Sequence, residues 1–144
     1  MLHLAICDKS LNDIEQMEKY LENIKFFNFD YEVFENAKEL YKYQTQHHEN
    51  FDIYILSIEL EDMLEVARKL REDSQEALII FVSNDAKCVF DVFEVFTFAF
   101  LLKPLTYNKF STTLYNAFNY LYRTKRLFLF SYRKCNYSIL CQSI

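Results

Sequence analysis

Glycine and tryptophan are absent from this chain of 144 residues, and proline occurs once. Without glycine there is no Gly-rich loop to cradle a nucleotide phosphate, so that route to nucleotide chemistry is closed. Turns that need a positive φ have to be supplied by Asn or Asp, or avoided. No apolar run approaches the roughly 20 residues that span a bilayer, so no membrane partner is expected. The start Met1-Leu2-His3-Leu4-Ala5 has neither a basic segment nor a cleavage site, and does not read as a signal peptide. Basic excess is missing too: 16 Lys and Arg stand against 21 Asp and Glu, a net charge of −5. Phosphate contacts need a basic surface, so the body of the chain does not read as a free-standing nucleic-acid binder. No C-x-x-C pair occurs among Cys7, Cys88, Cys135 and Cys141. Cys7 and Cys88 lie in apolar runs, which points to reduced, mostly buried thiols in a cytoplasmic protein.

What is present is apolar and aromatic. Hydrophobic residues make up 51% of the chain, with 15 Phe and 11 Tyr. That is ample for the core of one domain. Leu2 to Cys7 reads as a buried strand. Leu11, Ile14, Met17, Leu21 and Ile24 recur at helical spacing, with Ser10 or Asn12 as the cap. Asp30 to Glu35 alternates like a more exposed strand. Ala37, Leu40, Tyr41 and Tyr43 suggest a helix that fades into the polar stretch from Gln44 to Asn50. Phe51 to Ser57 is a strand, Leu64, Ala67 and Leu70 mark a helix, and Ala77 to Ser83 is a strand again. Lys87 to Val95 reads as a short helix, Thr97 to Leu102 as the last strand, and Leu105 to Arg126 as a long helix. This alternation predicts a parallel sheet with helices on both faces.

The tail departs from that pattern. Residues 127–144 carry Phe128, Phe130, Tyr132, Tyr137 and Ile139, and read as two short β-segments about a Lys134-Cys135-Asn136 turn. With Arg123, Lys125, Arg126, Arg133 and Lys134, the tail and the residues leading into it are the most basic part of the chain. A lone hairpin is marginal in water, so these segments need a partner surface.

Polar residues close four of the predicted strands: Asp8, Ser57, Ser83 and the pair Lys103-Pro104. Ligands of open α/β sheets sit outside the carboxyl ends of the strands, so these tips are the candidate site. Serine catalysis at Ser57 would need an adjacent base. His3 falls at the wrong end of its strand, and His47 and His48 fall in a polar linker, where a solvated helix end is expected rather than a metal site. The chain therefore does not read as an enzyme.

Three stretches, in order and spacing, carry a resemblance: Leu4-Ala5-Ile6-Cys7-Asp8, Phe51-Asp52-Ile53-Tyr54-Ile55-Leu56-Ser57-Ile58-Glu59, and Ala99-Phe100-Leu101-Leu102-Lys103-Pro104. Residues 1–126 resemble the CheY-like receiver domain of a bacterial two-component response regulator, in the form joined to LytTR-type DNA-binding domains. The tail resembles the opening of a LytTR domain. The resemblance implies a flavodoxin-like three-layer sandwich, with five parallel strands in the order 2-1-3-4-5.

In that family, acids after the first and third strands gather Mg²⁺, and the acid after the third accepts a phosphoryl group. Asp8 matches the first acid. Lys9 stands where a second acid is expected, and Ser57 where the acceptor is expected. Ser83 and Lys103 match the hydroxyl and lysine that hold phosphoryl oxygens, and Phe100 the aromatic switch residue. The loop through Glu59 is short and lacks its usual proline and glycine. The resemblance also implies a cis bond before Pro104. Mg²⁺ prefers carboxylate and water oxygens, and two of the three carboxylates are replaced. The expectation is a degenerate phosphorylation site at Asp8, Lys9, Ser57, Glu59, Ser83 and Lys103, without cofactor and with Mg²⁺ binding lost or weak. Lys9 and Lys103 are expected to flank Asp8 in place of the metal.

In receivers the face built from the fourth helix, last strand and last helix mediates dimerisation. Here Phe93, Phe96, Phe98, Tyr107 and Phe110 concentrate aromatic surface there, which points to a homodimer, although some rings must belong to the core. A histidine kinase or another regulator is a possible partner, and DNA a partner only if a LytTR domain follows residue 144. Two roles stay open: a phosphorylation-independent receiver of a LytTR-type regulator, and a stand-alone module that pairs with intact regulators.

Overall fold

A computed structural model describes the backbone of residues 1–48 and 50–138, and the side chains of 1–48, 50–88, 92 and 95–124. Five strands run β1 (Leu2–Cys7), β2 (Phe29–Phe34), β3 (Ile53–Ser57), β4 (Leu78–Ser83) and β5 (Ala99–Leu102). All pair in parallel, in the order β2-β1-β3-β4-β5. Helices α1 (Leu11–Glu22), α2 (Ala37–His47), α3 (Met63–Asp73) and α4 (Tyr107–Ser138) connect and cover them, with a 3₁₀ segment over Ala86–Val95.

The centre of the sheet, β3 and β4 with Leu4–Cys7 of β1, is buried on both faces because it is almost entirely apolar, as a parallel sheet requires, while β2 at the edge alternates, with Asp30 and Glu32 exposed. Side chains alternate between two cores. Ala5, Cys7, Tyr54, Leu56, Ile79 and Phe81 point to the side covered by α2, α3 and the 3₁₀ segment. Leu4, Ile6, Ile53, Ile55, Ile80 and Val82 point to the side covered by α1 and α4. Each fully buried large side chain, such as Phe118 on α4, contributes about 1.5–3 kcal/mol. Tyr54 is the exception in polarity: its hydroxyl donates to Gln44 on α2 and accepts from the Phe51 N–H at 3.2 Å.

Three expectations are corrected and one is refined. Among the described residues the positive-φ positions are His48, Asp62 and Phe96, of which only Asp62 fits the Asn or Asp rule. His tolerates this region, but a bulky Phe at φ 55° is strained. Arg71 pins that turn, donating to the carbonyls of Val95 (2.9 Å) and Phe96 (3.2 Å), as well as Ala77 (2.7 Å). Secondly, the short helix expected over Lys87–Val95 is present and is of the 3₁₀ kind, starting at Ala86. Thirdly, α4 continues through Ser138, where two β-segments about Lys134-Cys135-Asn136 are expected. No glycine or proline interrupts Tyr107–Ser138, and nothing there breaks a helix once it has started. The reading for Ile139–Ile144 lies outside the described residues. Fourthly, Phe110 is not surface; it is 1% exposed and packs beside Tyr20 of α1.

Cys7 is buried and free, Cys88 half-buried and free. Cys141 and the side chain of Cys135 lie outside the described residues. His47 and His48 are exposed at the end of α2, as expected.

Candidate functional site

The strand order reverses between β1 and β3, and the carboxyl ends of those strands with β4 and β5 form one crevice. Cys7 pairs with Leu56, which sets Asp8 beside Ser57. Ser83 pairs with Leu102, and the Lys103 N–H donates to the Ser83 carbonyl at 2.7 Å. The peptide bond between Lys103 and Pro104 is cis. Asp8, Ser57 and Ser83 are each buried to within 3% of complete.

Lys103 reaches Asp8 Oδ2 at 2.7 Å and Asp13 Oδ2 at 2.8 Å, with only 6% of its side chain exposed. Burial opposes its charge, yet the hydrogen bonds and fields of Asp13 and Asp8 outweigh that cost and hold the ammonium above its ordinary range. Asp13 was not among the residues expected here. A signal existed: Ser10-Leu11-Asn12-Asp13 has the spacing of a capping box, whose acid normally reaches back to the cap's own N–H. Ser10 caps α1 by accepting from the Asp13 N–H at 3.3 Å. Its own N–H, however, is taken by Asp8 Oδ1 at 3.1 Å, which leaves the Asp13 carboxylate for Lys103.

Lys9 does not join this cluster. Its side chain is exposed and forms no ion pair among the described residues. One buried ammonium between two aspartates thus takes the place that two flanking lysines were expected to take.

The second half of the site is Glu59. Its Oε1 accepts from the Ser83 hydroxyl at 2.7 Å and from the Asn84 N–H. Its Oε2 accepts from the Ser57 hydroxyl at 3.4 Å. Burial opposes the Glu59 charge, but the Asn84 and Ser83 hydrogen bonds, its own N–H and the nearby Lys103 outweigh burial and hold the carboxyl below its usual range.

The donor set does not fit a resident Mg²⁺. Asp8 and Asp13 are engaged by an ammonium, Lys9 and Ser57 supply no carboxylate, and Glu59 is bound by neutral donors. Among the described residues, no three His, Cys, Asp or Glu side chains converge as metal ligands. A larger cleft, about 710 Å³, lies at the opposite end of the sheet near Asp52, Phe96, Tyr120 and Thr124. Arg71 in its lining is already bound to backbone carbonyls and Asp52 to the His3 N–H, so the convergent polar tips mark the site better than that volume does.

Phe100 is half-buried and packs on the α2–α3 core. Phe98 is half-buried, its ring centroid 6.0 Å from Tyr120, and Phe96 is 80% exposed. Tyr107 turns toward α1, edge-on to Tyr20 at 5.6 Å, so it sits away from the other two. The side chain of Phe93 lies outside the described residues.

No protein-family model matches the sequence, and no curated relative matches it. Solved structures do. The response regulatory domain of protein mrkE from Klebsiella pneumoniae superposes with a TM-score of 0.75 at 14% identity, covering 85% of this chain and 99% of that one. A CheY-like receiver domain protein from Methanospirillum hungatei gives 0.72 at 16% identity, over 86% and 98%. A receiver domain protein from Clostridium thermocellum gives 0.71 at 17% identity, over 88% and 99%. The fold is that of a receiver domain. Within that receiver fold, Ser57 ends the third strand and the Lys103–Asp8–Asp13 cluster fills the crevice beside it. No helix among the described residues is long and apolar enough to cross a membrane.

Proposed function

We propose that this chain is a phosphorylation-independent receiver of bacterial two-component signalling, a non-enzymatic cytoplasmic module that acts by binding other proteins. The observation that supports it most is the composition of the strand-end crevice. A serine hydroxyl ends the third strand, and the buried Lys103 ammonium is already bonded to both nearby aspartates. A serine hydroxyl needs a base to accept a phosphoryl group, and the carboxylate nearest Ser57, that of Glu59 at 3.4 Å, is a weak one: the Ser83 and Asn84 donors hold it below its usual range. Switching then depends on a ligand or partner that prefers one of two states.

The partner surface proposed is the β5–α4 edge, with exposed Phe96 and Tyr120 flanking half-buried Phe98. It would form a homodimer, or a pair with a kinase or an intact regulator. The resemblance of residues 1–126 supports service to a LytTR-type transcription regulator. The acidic body supports the alternative, a stand-alone module that pairs with intact regulators. Immunoblotting native cells separates these roles: a band larger than 17.5 kDa by a DNA-binding domain favours the first, a band at that mass the second.

Mg²⁺ titration by calorimetry tests the site reading. No tight binding is expected. Tight binding that disappears in Asp8→Asn contradicts it.

A further inference from the structure

A receiver crevice that accepts no phosphoryl group need not be vacant. The donors that converge in this one are the Ser57 hydroxyl, the Ser83 hydroxyl and the Asn84 backbone N–H, with the Lys103 ammonium close enough to favour negative charge. Hydroxyls and a backbone N–H backed by a cation form a cradle for an oxyanion. All three donors point at one carboxylate, that of Glu59. The contacts are directional. Ser83 Oγ has one proton, and the charged Glu59 Oε1 at 2.7 Å takes it in preference to the Asp85 carbonyl at 3.1 Å, while the Asp85 N–H donates into the same Oγ at 2.9 Å. The loop is built to deliver this side chain. Ile58 N–H donates to the Val82 carbonyl at 3.1 Å, Leu60 N–H to Ser57 at 3.3 Å and Met63 N–H to Leu60 at 3.1 Å, and Asp62 turns through φ 63° into α3. The chain from Ser57 to α3 therefore folds back on the end of β4, with Glu59 at its inner edge.

We propose that Glu59 is the built-in anionic ligand of this crevice: its carboxylate fills the Ser57–Ser83–Asn84 cradle, latches the β3–α3 loop to the end of β4, and keeps free oxyanions out. This rests on the phosphorylation-independent reading and adds what replaces the phosphoryl group. A ligand bound to one state shifts a two-state equilibrium toward it, and a tethered ligand does so permanently. Tethering also gives the carboxylate a millimolar or higher effective concentration, which a free ion has to exceed before it enters. The crevice thus has a fixed occupant, and release of Glu59, rather than arrival of phosphate, is the event that would change the loop.

The test is a titration of the full-length chain with inorganic phosphate, followed by amide signals of Ser57, Ser83 and Asn84. Wild type is expected to show no saturable shift at millimolar phosphate. Glu59→Ala is expected to move the Asn84 amide in the absence of phosphate, and then to bind phosphate about ten-fold or more tightly than wild type. Glu59→Gln, which keeps the side-chain shape, serves if the alanine variant does not fold; it too is expected to move the Asn84 amide. Equal phosphate binding by wild type and variant overturns the proposal, as does an Asn84 signal that neither substitution moves. Phosphorylation of the wild-type chain by a small-molecule donor would instead overturn the reading beneath it, and is detected by mass rather than by these shifts.

Discussion

At the scale of residues, the crevice is held by two charge arrangements that differ in exposure. Lys103 and Asp8 are sequestered, with Asp13 partly exposed beside them, and the ammonium offsets the cost of burying the Asp8 carboxylate. Glu59 lies at the rim and titrates. Its folded-state value is below the ordinary 4.5, so its interactions stabilise the fold above that pH, and the stabilisation is lost as pH falls through the lower folded value. Wild type is therefore expected to be more stable than Glu59→Gln in urea at neutral pH, with the gap closing on acidification below about 4.5. A gap that stays constant with pH contradicts this. Much of the site was legible at this scale. Asp8, Ser57, Ser83 and Lys103 are the strand-end residues that the apolar runs predict, and they meet. Asp13 was missed because spacing within one helix turn does not reveal that Asp8 has already taken the cap's N–H. Lys9 was misplaced because sequence position gives no side-chain direction at a strand exit.

At the scale of elements, the turn between the 3₁₀ segment and β5 carries backbone strain at Phe96. Phe96 holds a left-handed conformation that costs a non-glycine residue about 1–2 kcal/mol. Arg71 on α3 compensates by bonding the carbonyls on both sides of the turn and those of Ser74, Gln75 and Ala77 before β4. Arg71→Met keeps the apolar stem and removes every donor. It is expected to lower unfolding stability by about 2–3 kcal/mol in urea, since hydrogen bonds to charged groups contribute about 1.5–3 kcal/mol and the site is part-exposed. A loss below measurement error would mean that solvent serves those carbonyls equally well. None of this was visible in sequence, where Arg71 is one charged residue on an amphipathic helix. The extent of α4 was misread for a related reason. Phe, Tyr and Ile favour strands only where a sheet is there to receive them, and the residues after Arg126 continue a helix already under way.

At the scale of the whole molecule, the layering followed from the alternation of apolar runs, whereas the strand order came from the resemblance to receiver domains. The aromatic surface was legible only in part. A ring's membership of a strand or helix is written in the sequence, but its inward or outward turn depends on packing, and Phe110 went inward. Phe96 and Tyr120 remain for the proposed dimer. Tyr120→Glu is expected to shift the sedimentation mass from dimer to monomer; an unchanged dimer would place the interface elsewhere. Phosphoryl transfer to this crevice is read most simply from the intact mass of the chain after incubation with acetyl phosphate and Mg²⁺. An unchanged mass is predicted. A gain of one phosphoryl group, abolished by Ser57→Ala or Asp8→Asn, would contradict the account.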